Sequence, residues 1–236
     1  MLALGMIAAL AMPGTAQATP QLGDLGVKQS MSVKASNGES LEGKDLRAIQ
    51  LATYTAASVD GNTIVGYDLT TNTALASDIT AAAKAAGATD TNLTVNGKND
   101  PMVWVVKNLT DSRSDPWSGK LRNFCNSLAK QTNFAKQDGT AVSTLSQDKA
   151  TMSTGNVLVP GIYAIVDRTP ATTTLSSGTA IKTTASIMMM NGTAVNGVNQ
   201  LRTAGGTTLT LGQVIYKVSN VESPDKKVNV GSAGKD

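Results

Sequence analysis

Hydrophobic and polar positions alternate in short runs separated by Gly, Asn and Asp, the signature of a chain built mostly from β-strands. Residues 27–35 place Val27, Met31, Val33 and Ala35 on one face and Lys28, Ser32 and Lys34 on the other, and Asn37-Gly38 marks a turn. Leu46, Ile49, Leu51 and Tyr54 continue the apolar pattern, and Asp60-Gly61-Asn62 turns the chain into Thr63–Tyr67, which predicts a hairpin. The pattern then changes. Ser77–Ala86 is Ala-rich, with Asp78 near its start and Gly87 after its end, and predicts a helix. A second helix is expected after Asp115-Pro116, with Pro116 in its first turn. Its Leu121, Phe124, Cys125, Leu128 and Ala129 recur at helical spacing, so Cys125 reads as a small core residue.

Beyond Gly139 strands return: Val157–Val159, Ile162–Val166, a Thr- and Ser-rich stretch over Ala171–Thr184, a short run Ile187–Met190 ended by Asn191-Gly192, and a long final strand Leu209–Val221. On that last strand Val214, Tyr216 and Val218 share the inward face, while Ile215, Lys217 and Ser219 face out. Met188, Met189 and Met190 read as core packing. The order of strands, two helices, then strands predicts a mainly β chain: an antiparallel β-sandwich with a short helical insertion.

Composition narrows the chemistry. The chain of 236 residues has no His and one Cys, which excludes a Ser-His-Asp or Cys-His centre and leaves a poor ligand set for zinc or copper. A lone Cys forms no internal disulfide. Aromatics are 3% of residues, and the formal net charge of +3 comes from scattered Lys and Arg, so no nucleic-acid footprint emerges. Paired carboxylates could serve a glycosidase, but Asp111, Asp115, Asp138, Asp148 and Asp167 lie in no recognisable catalytic motif. The expectation is a non-enzyme without cofactor or metal. Leu2–Met12 is apolar, Pro13-Gly14 breaks it, and Ala16-Gln17-Ala18 fits a cleavage site, so residues 1–18 are expected to be a secretion signal lacking its basic start. The Asn-x-Thr triplets at Asn92, Asn108 and Asn191 carry no weight in a chain so rich in Asn and Thr.

Taken together, Leu46–Tyr54 with Val65-Gly66-Tyr67, the Ala-rich helix, Gly161-Ile162-Tyr163 with Asp167, and the closing strand through Lys227 resemble the N-terminal domain of sortase-assembled pilus shaft subunits of Gram-positive bacteria. Leu51-Ala52-Thr53-Tyr54-Thr55 is similar to the actinobacterial branch. The resemblance implies an Ig-like sandwich of the pilin N-terminal or collagen-adhesin B type over residues 19–222, with 223–236 a linker and the start of a following domain. It implies a structural subunit exported to the cell surface and joined to other pilin subunits by a pilus-specific sortase, in a cell-wall-attached polymer supporting adhesion. No nucleic acid is expected as a partner, and no membrane after signal cleavage. The alternative is a monomeric surface adhesin or tip pilin that binds host glycan or matrix protein.

In that family the acceptor lysine closes a Tyr-Pro-Lys motif. Val214-Ile215-Tyr216-Lys217 matches it without the proline, making Lys217 the candidate, with Lys226 and Lys227 as rivals. Family domains also carry an internal Lys–Asn isopeptide bond promoted by the acid of a Gly-x-Tyr-x-x-x-Glu motif. Gly161-x-Tyr163-x-x-x-Asp167 matches with Asp for Glu, and the set implied here is Lys34, Asn220 and Asp167. Alternation opposes Lys34, which faces away from Met31, Val33 and Ala35.

Overall fold

The computed structural model describes residues 20–95, 97–109, 119–170, 172–175, 178, 180–182, 188–203 and 206–216. The signal segment, Asp111, Asp115, Pro116, Lys217, Asn220, Lys226 and Lys227 lie outside the described residues.

The chain opens with β1 (Gln21–Leu22), β2 (Ser32–Ala35), the long β3 (Leu46–Asp60) and β4 (Thr63–Thr71). A helical segment follows: α1 (Ala76–Ala85), a small hairpin of β5 (Thr94–Val95) and β6 (Lys98–Asn99), then α2 (Pro101–Asn108), α3 (Lys120–Leu128) and α4 (Thr132–Ala135). Strands resume as β7 (Thr140–Val142), β8 (Thr144–Leu145), β9 (Thr151–Ser153) and β10 (Gly161–Asp167). The last are β11 (Thr172–Thr174), β12 (Ala180–Lys182), β13 (Met189–Gly192), β14 (Gln200–Arg202), β15 (Thr208–Thr210) and β16 (Gln213–Tyr216).

The large sheet runs β13-β10-β3-β4-β14-β15, with β1 and β7 also on β3; the small sheet runs β16-β2-β9-β8. The fold is therefore mainly β, as the alternation predicts. The expected all-antiparallel pairing needs correction, because β14 pairs β4 and β16 pairs β2 in parallel. Parallel neighbours need long connections, and 177 residues lie between Ala35 at the end of β2 and Gln213 at the start of β16.

β10 is buried along its whole length because it has a packed layer on each face. Tyr163 and Ile165 face the small sheet, meeting Met31, Val33, Leu46, Met152, Val214 and Tyr216. Ile162, Ala164 and Val166 face the helices, whose Ile79, Val105, Phe124 and Leu128 complete a second core with Leu51, Tyr54 and Leu69. The helices thus form a third layer on the large sheet. A bulge in β3 serves both cores: the register with β10 steps from Ala52–Ile162 to Gln50–Tyr163, so Leu51 and Ala52 both reach the helical side. Gly161 is required beside it, since a Cβ there would lie 2.1 Å from the Ala52 carbonyl oxygen.

Several boundaries differ from the sequence reading. The strand expected over 27–35 is confined to Ser32–Ala35, and Val27 is exposed. Helix α2, with Pro101 at its first turn, was not expected; its Met102, Trp104 and Val105 are buried. Ala129 caps α3 and is exposed, whereas Phe124, Cys125 and Leu128 are buried as predicted. Asn191-Gly192 forms the last two residues of β13, so the strand ends at that pair as expected but includes it. The long final strand is two, broken at Gly212, whose φ of +77° no extended strand adopts.

Candidate functional site

Among the described residues, an ionic cluster lies buried between the large and the small sheet. Period-two alternation along β10 puts Asp167 on the same face as Tyr163 and Ile165, so its carboxylate points between the sheets. Asp167 stands opposite Leu46 in the antiparallel register with β3. Lys44, two residues before Leu46, is its diagonal neighbour and lies within reach of a long side chain. The Lys44 Nζ is 4.0 Å from Asp167 Oδ2, and the side chains are 1% and 0% exposed.

The opposite sheet supplies the third member. Tyr216, on β16, is 1% exposed and donates its hydroxyl to Asp167 Oδ2. The Lys44 ammonium nitrogen sits 5.9 Å from the centroid of the Tyr216 ring, at the edge of cation–π range. Asp167 Oδ1 accepts from the Thr169 backbone N–H at 2.8 Å and from the Thr169 hydroxyl. Thr169 Oγ1 in turn accepts the Asp45 N–H at 2.9 Å, and the Arg168 N–H donates to the Asp45 carbonyl at 2.8 Å. Both oxygens of the buried carboxylate are thus engaged, which a charge in an apolar interior requires.

Burial lowers the Lys44 pKa, and the attraction of Asp167 opposes that shift without reversing it. Burial also raises the Tyr216 hydroxyl, with its hydrogen bond to Asp167 and the carboxylate charge adding to the rise. The result is an amine whose charged form is disfavoured by burial, held out of solvent beside a carboxylate.

Of the expected isopeptide set, Asp167 occupies this interior site, whereas Lys34 is exposed on β2, pointing away from the core formed by Val33 and Ala35. Lys34 and Asp167 are not brought together; strand alternation separates them as it separates Lys34 from Val33. Asn220 lies outside the described residues. Lys44 was the residue missed, and its parity was the available signal: it shares the inward face with Leu46 and Ala48, two residues before the strand begins. On β16, Val214 and Tyr216 are buried while Gln213 and Ile215 are exposed, the alternation expected ahead of Lys217.

Depressions of about 280, 340 and 380 Å³ are open to solvent, and the one lined by Asp24 and Asp60 holds no further acid. Among the described residues no group of three Cys, Asp or Glu is placed to hold a metal ion, and no helix is long and apolar enough to cross a membrane. No protein family, curated protein or solved structure matches the chain.

Proposed function

We propose that this chain is the N-terminal, Ig-like module of a covalently polymerised surface pilus, with a structural rather than catalytic role. The reading rests on the resemblance carried by Gly161-Ile162-Tyr163, Asp167 and Val214-Ile215-Tyr216-Lys217. One observation carries it beyond sequence pattern: the buried Lys44–Asp167 pair is closed by Tyr216, the residue immediately before the candidate acceptor Lys217. In this reading the cluster stabilises a cysteine-poor exported domain and anchors the strand end that leads to the polymerisation site.

Lys44 replaces Lys34 as the amine of an internal isopeptide bond. Lys44 Nζ attacks the side-chain carbonyl carbon of an Asn, for which Asn220 is the candidate. The new C–N bond forms as the Asn Nδ2 departs, and Asp167 passes the lysine proton to it so that ammonia leaves. Accurate mass of the mature protein tests this step: the linked chain is lighter by one ammonia, and an unaltered mass refutes the bond. Polymerisation is tested separately by Lys217→Arg in the full subunit expressed with its sortase. Loss of the high-mass ladder supports Lys217 as acceptor; an unchanged ladder transfers the role to Lys226 or Lys227 and removes the argument from Tyr216.

A further inference from the structure

We infer that Asn196 is a site of spontaneous backbone modification, converting to isoaspartate and aspartate in the folded protein while the nearby Asn191-Gly192 pair is held inert. Both are Asn-Gly sequences, in which the missing Cβ leaves the glycine nitrogen open to approach the preceding side chain. The fold treats them oppositely.

Asn191 is clamped. Its Nδ2 donates to the carbonyls of Thr210 and Gln213 at 3.1 and 2.6 Å, and its Oδ1 accepts the Gly192 N–H at 2.8 Å. Gly192 is a buried strand residue, and a Cβ there would lie 2.2 Å from the Tyr54 hydroxyl, so the backbone has no room to rearrange. The nitrogen that must attack is committed to the side-chain oxygen, and the group that must leave is held twice.

Asn196-Gly197 is the two-residue turn between Val195 and Val198, whose mutual backbone hydrogen bonds measure 3.0 and 2.9 Å. Asn196 is exposed with a φ of +45°, and Gly197 has a φ of +81° with nothing near the position of a Cβ. The Asn196 carboxamide makes no hydrogen bond among the described residues. The Gly197 N–H has a single long hydrogen bond, 3.3 Å to Gln29 Oε1.

After loss of its proton, the Gly197 nitrogen attacks Asn196 Cγ. The N–Cγ bond forms, the Cγ–Nδ2 bond breaks, and Nδ2 departs with a proton as ammonia, leaving a five-membered succinimide. Water then opens either ring carbonyl. One opening gives aspartate; the other routes the backbone through the side chain as isoaspartate, lengthening the turn by a methylene. That extra atom prevents both Val195–Val198 bonds from closing. Val195 is fully buried, and its Cγ1 would stand 2.6 Å from a Cβ at Gly23, so the change loosens the seat of β1. The new carboxylate also joins Asp24 and Asp60 on the wall of the 380 Å³ depression.

The experiment is ageing of the folded protein in mildly alkaline buffer, followed by peptide mapping with fragmentation that separates positions 191 and 196. A sample held in urea serves as reference. Conversion at Asn196 more than about tenfold faster than at Asn191 is expected in the folded chain, because Asn191 reacts only through local opening. In urea the two rates converge. Equal rates in the folded chain, or conversion of Asn196 only in urea, overturn the inference. The aged sample also unfolds at lower denaturant than fresh protein, and Asn196→Gln prevents both the conversion and that loss. The outcome is independent of the pilus reading.

Discussion

At the scale of single residues, the Lys44–Asp167–Tyr216 cluster makes the sharpest demands. Replacing Asp167 with Ala removes the buried carboxylate that accepts from Tyr216 and Thr169 and faces Lys44, and is expected to lower stability by about 3–5 kcal/mol in urea titrations. Tyr216→Phe removes only the hydroxyl donated to the carboxylate and is expected to cost about 1.5–3 kcal/mol. The cluster also sets a pH dependence in the unlinked chain. Between the lowered Lys44 value and the ordinary 10.5, the unfolded state holds a proton that the folded state lacks, so stability rises with pH across that interval. Tyr216 acts in the opposite sense: the folded state keeps a proton that the unfolded state loses above 10, so stability falls there. Unfolding midpoints measured from neutral to alkaline pH check this, with Lys44→Met losing the rise. A chain already linked through Lys44 has no amine to titrate and lacks the rise as well, so mass and pH profile are read together. Tyr54 offers a contrasting case. Its hydroxyl is buried without a hydrogen-bond partner among the described residues, so Tyr54→Phe is expected to be neutral or stabilising by up to about 1 kcal/mol.

At the scale of elements, the β3 bulge and Gly161 depend on each other. Gly161→Ala is expected to cost more than about 2 kcal/mol, because the obstacle is the Ala52 backbone rather than a flexible side chain. Urea unfolding of the variant measures it. Such a bulge is not legible in sequence: Leu51 and Ala52 simply read as adjacent apolar residues. What alternation does reveal is the face of each strand residue, which is why the inward Val214 and Tyr216 and the outward Lys34 were readable. The period-two pattern failed where the chain leaves regular structure. Lys44 precedes β3, where its parity with Leu46 and Ala48 is the one sign in the sequence of its inward face. Helix α2 is short, so its eight residues present barely two turns of periodicity, although Asp100-Pro101 marked its start.

At the scale of the whole molecule, the helices are a packed third layer rather than an appendage. Phe124 and Leu128 are fully buried in the core that the helices share with the large sheet, and Phe124→Ala is expected to destabilise the whole chain by about 3–5 kcal/mol, in one transition detected alike by far-ultraviolet and near-ultraviolet dichroism. The layering was only half legible, because patterning predicted amphipathic helices without saying which sheet face they cover. Nor did it reveal that β2 and β16 run side by side in the same direction, from the Ser32–Gln213 pair to the Ala35–Tyr216 pair. That arrangement has a mechanical meaning. Tension arriving through the chain before Ser32 and leaving after Tyr216 pulls the two strands along their length in opposite senses. Their hydrogen bonds are then strained together in shear, not peeled apart one at a time like a zipper, so the module is built to resist stretching along its own axis.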